Sequence, residues 1–217
     1  MARLFPLVFV GAIVCAQAPL KFMGRAVTVT ESGYEDSERM FPKGPASVCG
    51  EGTPQQCYTA PGRFGRHPEV SIVQVDKATP AIFFSAASGG TSGWQIHFAL
   101  LRPGPGKEFE NLFPSQLTLS SQSQHAFWTD PSISGAAIFV TADYVWGPGE
   151  CHLCPHRYII SAYTWQSGEP LIAEWGYHLQ DQYMTVRTYG DAEASILESE
   201  KQEIIARLRR VKQSAPH

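Results

Sequence analysis

Between residues 70 and 189 the chain is a succession of short runs of β-branched and aromatic residues, divided by turn-forming residues and without an intervening helical period. That pattern restricts it to antiparallel sheet, because parallel strands need long crossovers, usually helical. Trp94, Ile96, Phe98 and Leu100 alternate with Gln95, His97 and Ala99, the period of two expected of a strand with one buried and one wet face. Runs at 70–75 and 81–85 are bounded by the turn-rich residues 77–80 and by Ser88, Gly89 and Gly90, and further runs lie at 117–120, 136–145 and 157–165. Gln166, Ser167 and Gly168 predict a tight turn before a strand at 171–175, since glycine accepts the positive φ of hairpin turns, and a last strand is predicted over 183–189. The expected fold is mainly β, an antiparallel β-sandwich or a blade-like meander of about seven to nine strands.

The C-terminus is a different object. From 192 to 213 there is neither Gly nor Pro, and Leu197, Ile204, Ile205, Leu208 and Val211 fall on one helical stripe. Ser195 and Glu198 have the spacing of a capping box. Asp191, Glu193, Glu198 and Glu200 precede Arg207, Arg209, Arg210 and Lys212, a polarity that complements the helix dipole, and Glu203 with Arg207 is a correctly oriented i, i+4 pair. One C-terminal α-helix is predicted, its stripe packed on the sheet of its own domain.

At the other end, one positive charge at Arg3 precedes a mostly apolar run from 4 to 14 and then the small residues Cys15, Ala16 and Ala18. This order predicts a secretory signal peptide over 1–16. Gln17, Pro19 and Lys21 end the run short of the roughly 20 residues that a membrane-spanning helix needs, so stable membrane insertion is not expected. Cleavage near Ala16 leaves 17–217 as a single β-rich exported domain and removes Cys15, turning five cysteines into four. The only Asn is Asn111, followed by Leu112 and Phe113, so the chain has no N-glycosylation acceptor, which favours a bacterial periplasmic or secreted destination over a eukaryotic one. The formal net charge is −3 and the basic residues are scattered except at the C-terminal end, which excludes nucleic acid as an expected partner.

From 31 to 69 glycines and prolines recur throughout, and a long Gly/Pro-rich loop is predicted. Cys49 and Cys57 are placed to tie it. With Cys151 and Cys154 they form the disulfide candidates of an exported chain, either as the local pairs 49–57 and 151–154 or crossed between the two segments, three pairings in all.

The densest chemical cluster is Glu150, Cys151, His152, Cys154 and His156. Two thiolates at Cys-x-x-Cys spacing suit tetrahedral zinc, with nitrogen supplied by His156 or His152, although a second ligand pair is missing unless Cys49 and Cys57 provide it. Thiol redox chemistry wants the motif at a helix N-terminus, whereas here Pro155 follows in a loop between strands. Covalent haem needs histidine where Pro155 stands. Ser92 is no nucleophile elbow, because Trp94 replaces the required glycine. The 103–107 segment is no phosphate loop, because prolines remove its amide donors and no Ser or Thr follows Lys107. His97, His125 and His178 have no ligand partner near in sequence and are expected to be structural.

Two classes of function follow. One is a non-catalytic exported binding or structural module, without cofactor, meeting a protein or saccharide through the 31–69 excursion or through Trp128, Tyr144 and Trp146. The other is a metal-binding protein or metal-dependent enzyme built on Cys151, Cys154 and His156, with zinc as the expected ion.

Overall fold

A computed structural model describes residues 20–214 apart from 53, 76–77, 91–92, 105, 114–115, 121–122, 134–136, 152–153, 167–175 and 190–194. The predicted signal segment and its cleavage point, and the strand predicted at 171–175 with the turn before it, lie outside the described residues.

Three antiparallel sheets follow one another along the chain. The first is the meander β1 (Lys21–Phe22), β2 (Arg25–Thr30), β3 (Ser47–Gly50) and β4 (Gln56–Thr59). The second runs β5 (Arg66–Gln74), β6 (Pro80–Gly90) and β7 (Gly93–Pro103), and its outer edge is divided between β8 (Phe109–Asn111) and β9 (Leu117–Ser120). Both of these pair with β7, β8 at residues 101–103 and β9 at residues 95–98. The third is β10 (Gln124–Thr129), β11 (Ala137–Val145), β12 (Arg157–Gln166) and β13 (Gly176–Met184). Each sheet is thus a meander in chain order, and the fold is mainly β as expected.

The sheets are stacked, and each central strand distributes its side chains between two cores. Ile82, Phe84 and Ala86 of β6, with Ala99 and Leu101 of β7, pack against Phe22, Val27 and Val48 of the first sheet. The intervening Ala81, Phe83, Phe98 and Leu100 face the third sheet, where Phe139 closes the layer. The face of β7 that carries His97 and Ala99 is therefore not wet, as its alternation predicts, but buried under the first sheet. A sheet covered on both faces needs apolar residues on both, which is why β6 and β11 read as nearly unbroken apolar runs.

On the far side of the third sheet, Ile138, Val140 and Ala142 of β11 and Ile160 of β12 meet Leu197, Ile204, Ile205 and Leu208, so the helical stripe does pack on its own domain. The helix is in two pieces, α1 (Ile196–Ser199) and α2 (Lys201–Ser214). Ser195 caps the first, its Oγ accepting from the Glu198 amide at 3.2 Å. At the junction the buried Glu200 carboxylate accepts from the Thr185 and Tyr189 hydroxyls, both at 2.7 Å. Arg209 reaches the Asp130 carboxylate at 2.9 Å and so fastens α2 to the β10–β11 turn.

The final strand lies earlier than 183–189. β13 occupies 176–184 and pairs with residues 159–166 of β12, with a register shift at Ala162/Tyr163, while Tyr189 makes only an isolated bridge to His156. As an edge strand β13 has one pairing partner, which relaxes the apolar pattern required of it and hides it in the sequence.

The 31–69 excursion holds β3, β4 and the start of β5. Glu31 anchors it by accepting from the Tyr34 hydroxyl, the Arg39 guanidinium and, at 3.0 Å, the His67 amide. The Asp36 carboxylate turns the chain by accepting from the Met40 and Phe41 amides, which together with further backbone amides hold it below its ordinary pKa.

Candidate functional site

Both cysteine pairs are bonded locally. Cys49 and Cys57 sit directly opposite each other on β3 and β4, with Cα atoms 4.1 Å apart, and Cys151 bonds Cys154 within the β11–β12 loop. With their sulfurs joined, Cys151 and Cys154 present no thiolate to a metal. Among the described residues no group of three or more His, Cys, Asp and Glu side chains is placed to hold an ion. His152 lies outside the described residues.

His156 is nonetheless unusual. Its ring is 1% exposed, between Tyr144 and Trp146 at centroid distances of 5.0 and 5.3 Å, and its backbone bridges to Tyr189. Nδ1 lies 3.0 Å from the Glu150 carboxylate, while the buried Nε2 has no hydrogen-bond partner. Glu150 also accepts from the Gly147 amide at 2.6 Å, and that bond, followed by the one with His156, lowers its pKa. Of the aromatic residues proposed for ligand contact, Trp128 is buried in the core beneath Lys201, Tyr144 is half-buried, and Trp146 is 46% exposed. Trp128 is therefore a packing residue and not a contact surface. The side chain of His178 lies outside the described residues. His125 sits on the rings of Phe83, Phe98 and Phe139, and desolvation there lowers its pKa.

A second polar site forms where the first sheet covers β7. The Tyr58 hydroxyl and His97 Nε2 are 2.8 Å apart, with the two rings stacked at 6.2 Å and Phe64 against the imidazole. Burial lowers the His97 pKa to about 4, partly offset by the Leu117 backbone, and pushes the Tyr58 hydroxyl up to about 12. The histidine is thus neutral and the phenol protonated, so the contact is a hydrogen bond between two uncharged groups. These two residues line an open cleft of about 350 Å³ with Thr59, Asn111, Phe113 and Gln116. Asn111 Oδ1 is committed to the Leu100 and Phe113 amides.

A further cavity, of about 520 Å³, is one that the sequence does not announce. It opens at the edge of the first two sheets, between the β1–β2 turn, the β3–β4 hairpin and the β7–β8 loop. Phe22, Met23, Pro54, Pro103 and Phe109 give it apolar walls. Gly50 lets the Phe109 ring approach the strand, since a Cβ there would lie 3.2 Å from Cζ. Gln56 closes one side, its amide donating to the Gly104 and Gly106 carbonyls at 3.0 and 3.3 Å. The one charged lining residue is Arg25, whose guanidinium lies over Gly52 and makes no ion pair or hydrogen bond among the described residues. Met23 and Gly24 form the two-residue turn with φ of 51° and 80°, so an exposed methionine is held in the left-handed region at the cavity mouth.

No helix among the described residues is long and apolar enough to cross a membrane. The chain matches no family model, no curated protein and no solved structure.

Proposed function

We propose that this chain is an exported, non-catalytic binding module whose ligand seat is built on the β3–β4 hairpin. The observation that carries the reading is that two cavities use this hairpin as a wall: Gly50, Pro54 and Gln56 line the apolar one, and Tyr58 and Thr59 the polar one. The cross-strand Cys49–Cys57 bond stiffens the hairpin, so little ordering cost remains for a ligand to meet. Two disulfides fit an extracellular protein, and the apolar N-terminal segment supplies the export signal, with cleavage after Ala16 and release into the periplasm or medium.

A thermal-shift panel of apolar acids, oligosaccharides and short peptides tests the reading, because a ligand that binds only the folded state raises Tm. At least one class is expected to give a concentration-dependent rise. A flat response across all three removes the binding-module reading.

A second reading keeps the metal alternative, in which a reduced Cys151, Cys154 and His156 hold zinc. The buried Nε2 of His156 supports it, with Nδ1 held by Glu150 in the manner of a ligating histidine and its carboxylate. Elemental analysis with a thiol count separates the two: about one equivalent of zinc with four free thiols in the exported protein favours the metal reading. No metal and no thiol removes it.

A further inference from the structure

We propose that the cavity at the edge of the first two sheets binds a small aliphatic carboxylic acid, the tail inside and the carboxylate on Arg25. This rests on the binding-module reading and names its ligand class. A volume of about 520 Å³ falls within the range of small-molecule sites. Its walls are Phe22, Met23, Pro54, Pro103 and Phe109, and the amide nitrogen of Gln56 is committed to the Gly104 and Gly106 carbonyls. A ligand bringing several amides or hydroxyls would therefore bury more polar groups than these walls can pair, whereas an alkyl tail brings none. The single charge is different in kind. Arg25 is exposed at the mouth and unpaired among the described residues, and its guanidinium lies over Gly52. One planar, unpaired fork beside an apolar cavity with no acidic lining residue matches one carboxylate. Met23 lies 67% exposed at the mouth, placed by the hairpin turn where its side chain would cover an alkyl chain.

The test is a titration of oxidised protein carrying ¹³C-methyl methionine with octanoate and, separately, with octan-1-ol, read by NMR. The Met23 resonance is assigned by its loss in Met23→Leu, and Met184 serves as the distant control. Octanoate is expected to shift Met23 and leave Met184 in place, and octan-1-ol to shift Met23 with an affinity about tenfold weaker, the worth of one charge-assisted hydrogen-bonded pair. Arg25→Gln is expected to bring octanoate down to the affinity of octan-1-ol and to leave octan-1-ol unchanged. Equal affinities in the unaltered protein, or discrimination that survives Arg25→Gln, overturn the acid proposal and leave the cavity as an apolar seat. N-acetyl-leucyl-leucine binding more tightly than octanoate overturns it in favour of a peptide terminus. If neither eight-carbon compound nor the peptide moves Met23, the acid proposal fails and this cavity is withdrawn as the module's seat.

Discussion

The Tyr58 hydroxyl and Nε2 of His97 share a hydrogen bond of 2.8 Å that joins β4 of the first sheet to β7 of the second. The imidazole is buried between the two layers, and it makes the fold sensitive to acid.

In the folded protein burial lowers the His97 pKa to about 4, against an ordinary value of 6.5. Between these values the unfolded chain takes up a proton that the native state refuses, so stability rises with pH across this window. The contribution is complete above the unfolded value and is lost as pH falls toward the folded one, by about 2–3 kcal/mol. His125, lowered by burial as well, acts in the same direction. His97→Phe keeps the ring against Tyr58 and Phe64 and removes the proton. The drop in Tm between about pH 7.5 and pH 4.5 should shrink by several degrees in this variant. An equal drop in both proteins takes His97 out of the acid response.

Glu200 holds two buried hydroxyls and the junction of the two helical pieces. Glu200→Ala leaves Thr185 and Tyr189 without their acceptor and is expected to cost about 2–4 kcal/mol, while Glu200→Gln retains an acceptor oxygen and costs roughly half as much. Urea midpoints at constant slope measure both.

The two disulfides differ in the loops they close, with separations of 8 and 3 residues. Removing the first as Cys49→Ala with Cys57→Ala should destabilise by about 2.5 kcal/mol, and removing the second as Cys151→Ala with Cys154→Ala by about 1.5 kcal/mol. Thiol titration of denatured protein lacking Cys15 should find none before reduction and four after it. A larger loss for the second pair would mean that the Glu150–His156 contact depends on that loop.

Met23 occupies a conformation that asparagine accepts more readily. Met23→Asn is expected to raise stability by about 0.5–1 kcal/mol and to weaken octanoate binding, so stability and affinity move in opposite directions. A fall in both would assign Met23 to packing alone.

Where the chain alternates or caps, the structure is legible in the sequence. β9 falls on 117–120 as its apolar run predicts, and Ser195 caps the helix whose stripe meets β11 and β12. The local disulfide pairs are one of the three pairings that cysteine count allows, but nothing in the spacing selects them. Less legible are β3 and β4, because two four-residue strands among prolines and glycines lie below the length at which a period can be read. The wet face assigned to His97 fails for another reason: alternation reports that two faces differ, not that one meets water, and here the second face meets another sheet. The apolar cavity draws Phe22, Pro54 and Phe109 from three separate elements, so no local pattern records it.

The order of the layers along the chain gives disassembly a direction. The first sheet, made of strands of two to six residues, can detach at the expense of one interface, and the C-terminal helix can do so from the opposite side. β6 and β7 have no such exit, since releasing either neighbour strips one face of the same two strands. The molecule thus has a rind and a heartwood: its two cavities lie where the first sheet covers the second and are lost if that sheet detaches, and the most protected amides are expected in the 80–103 hairpin.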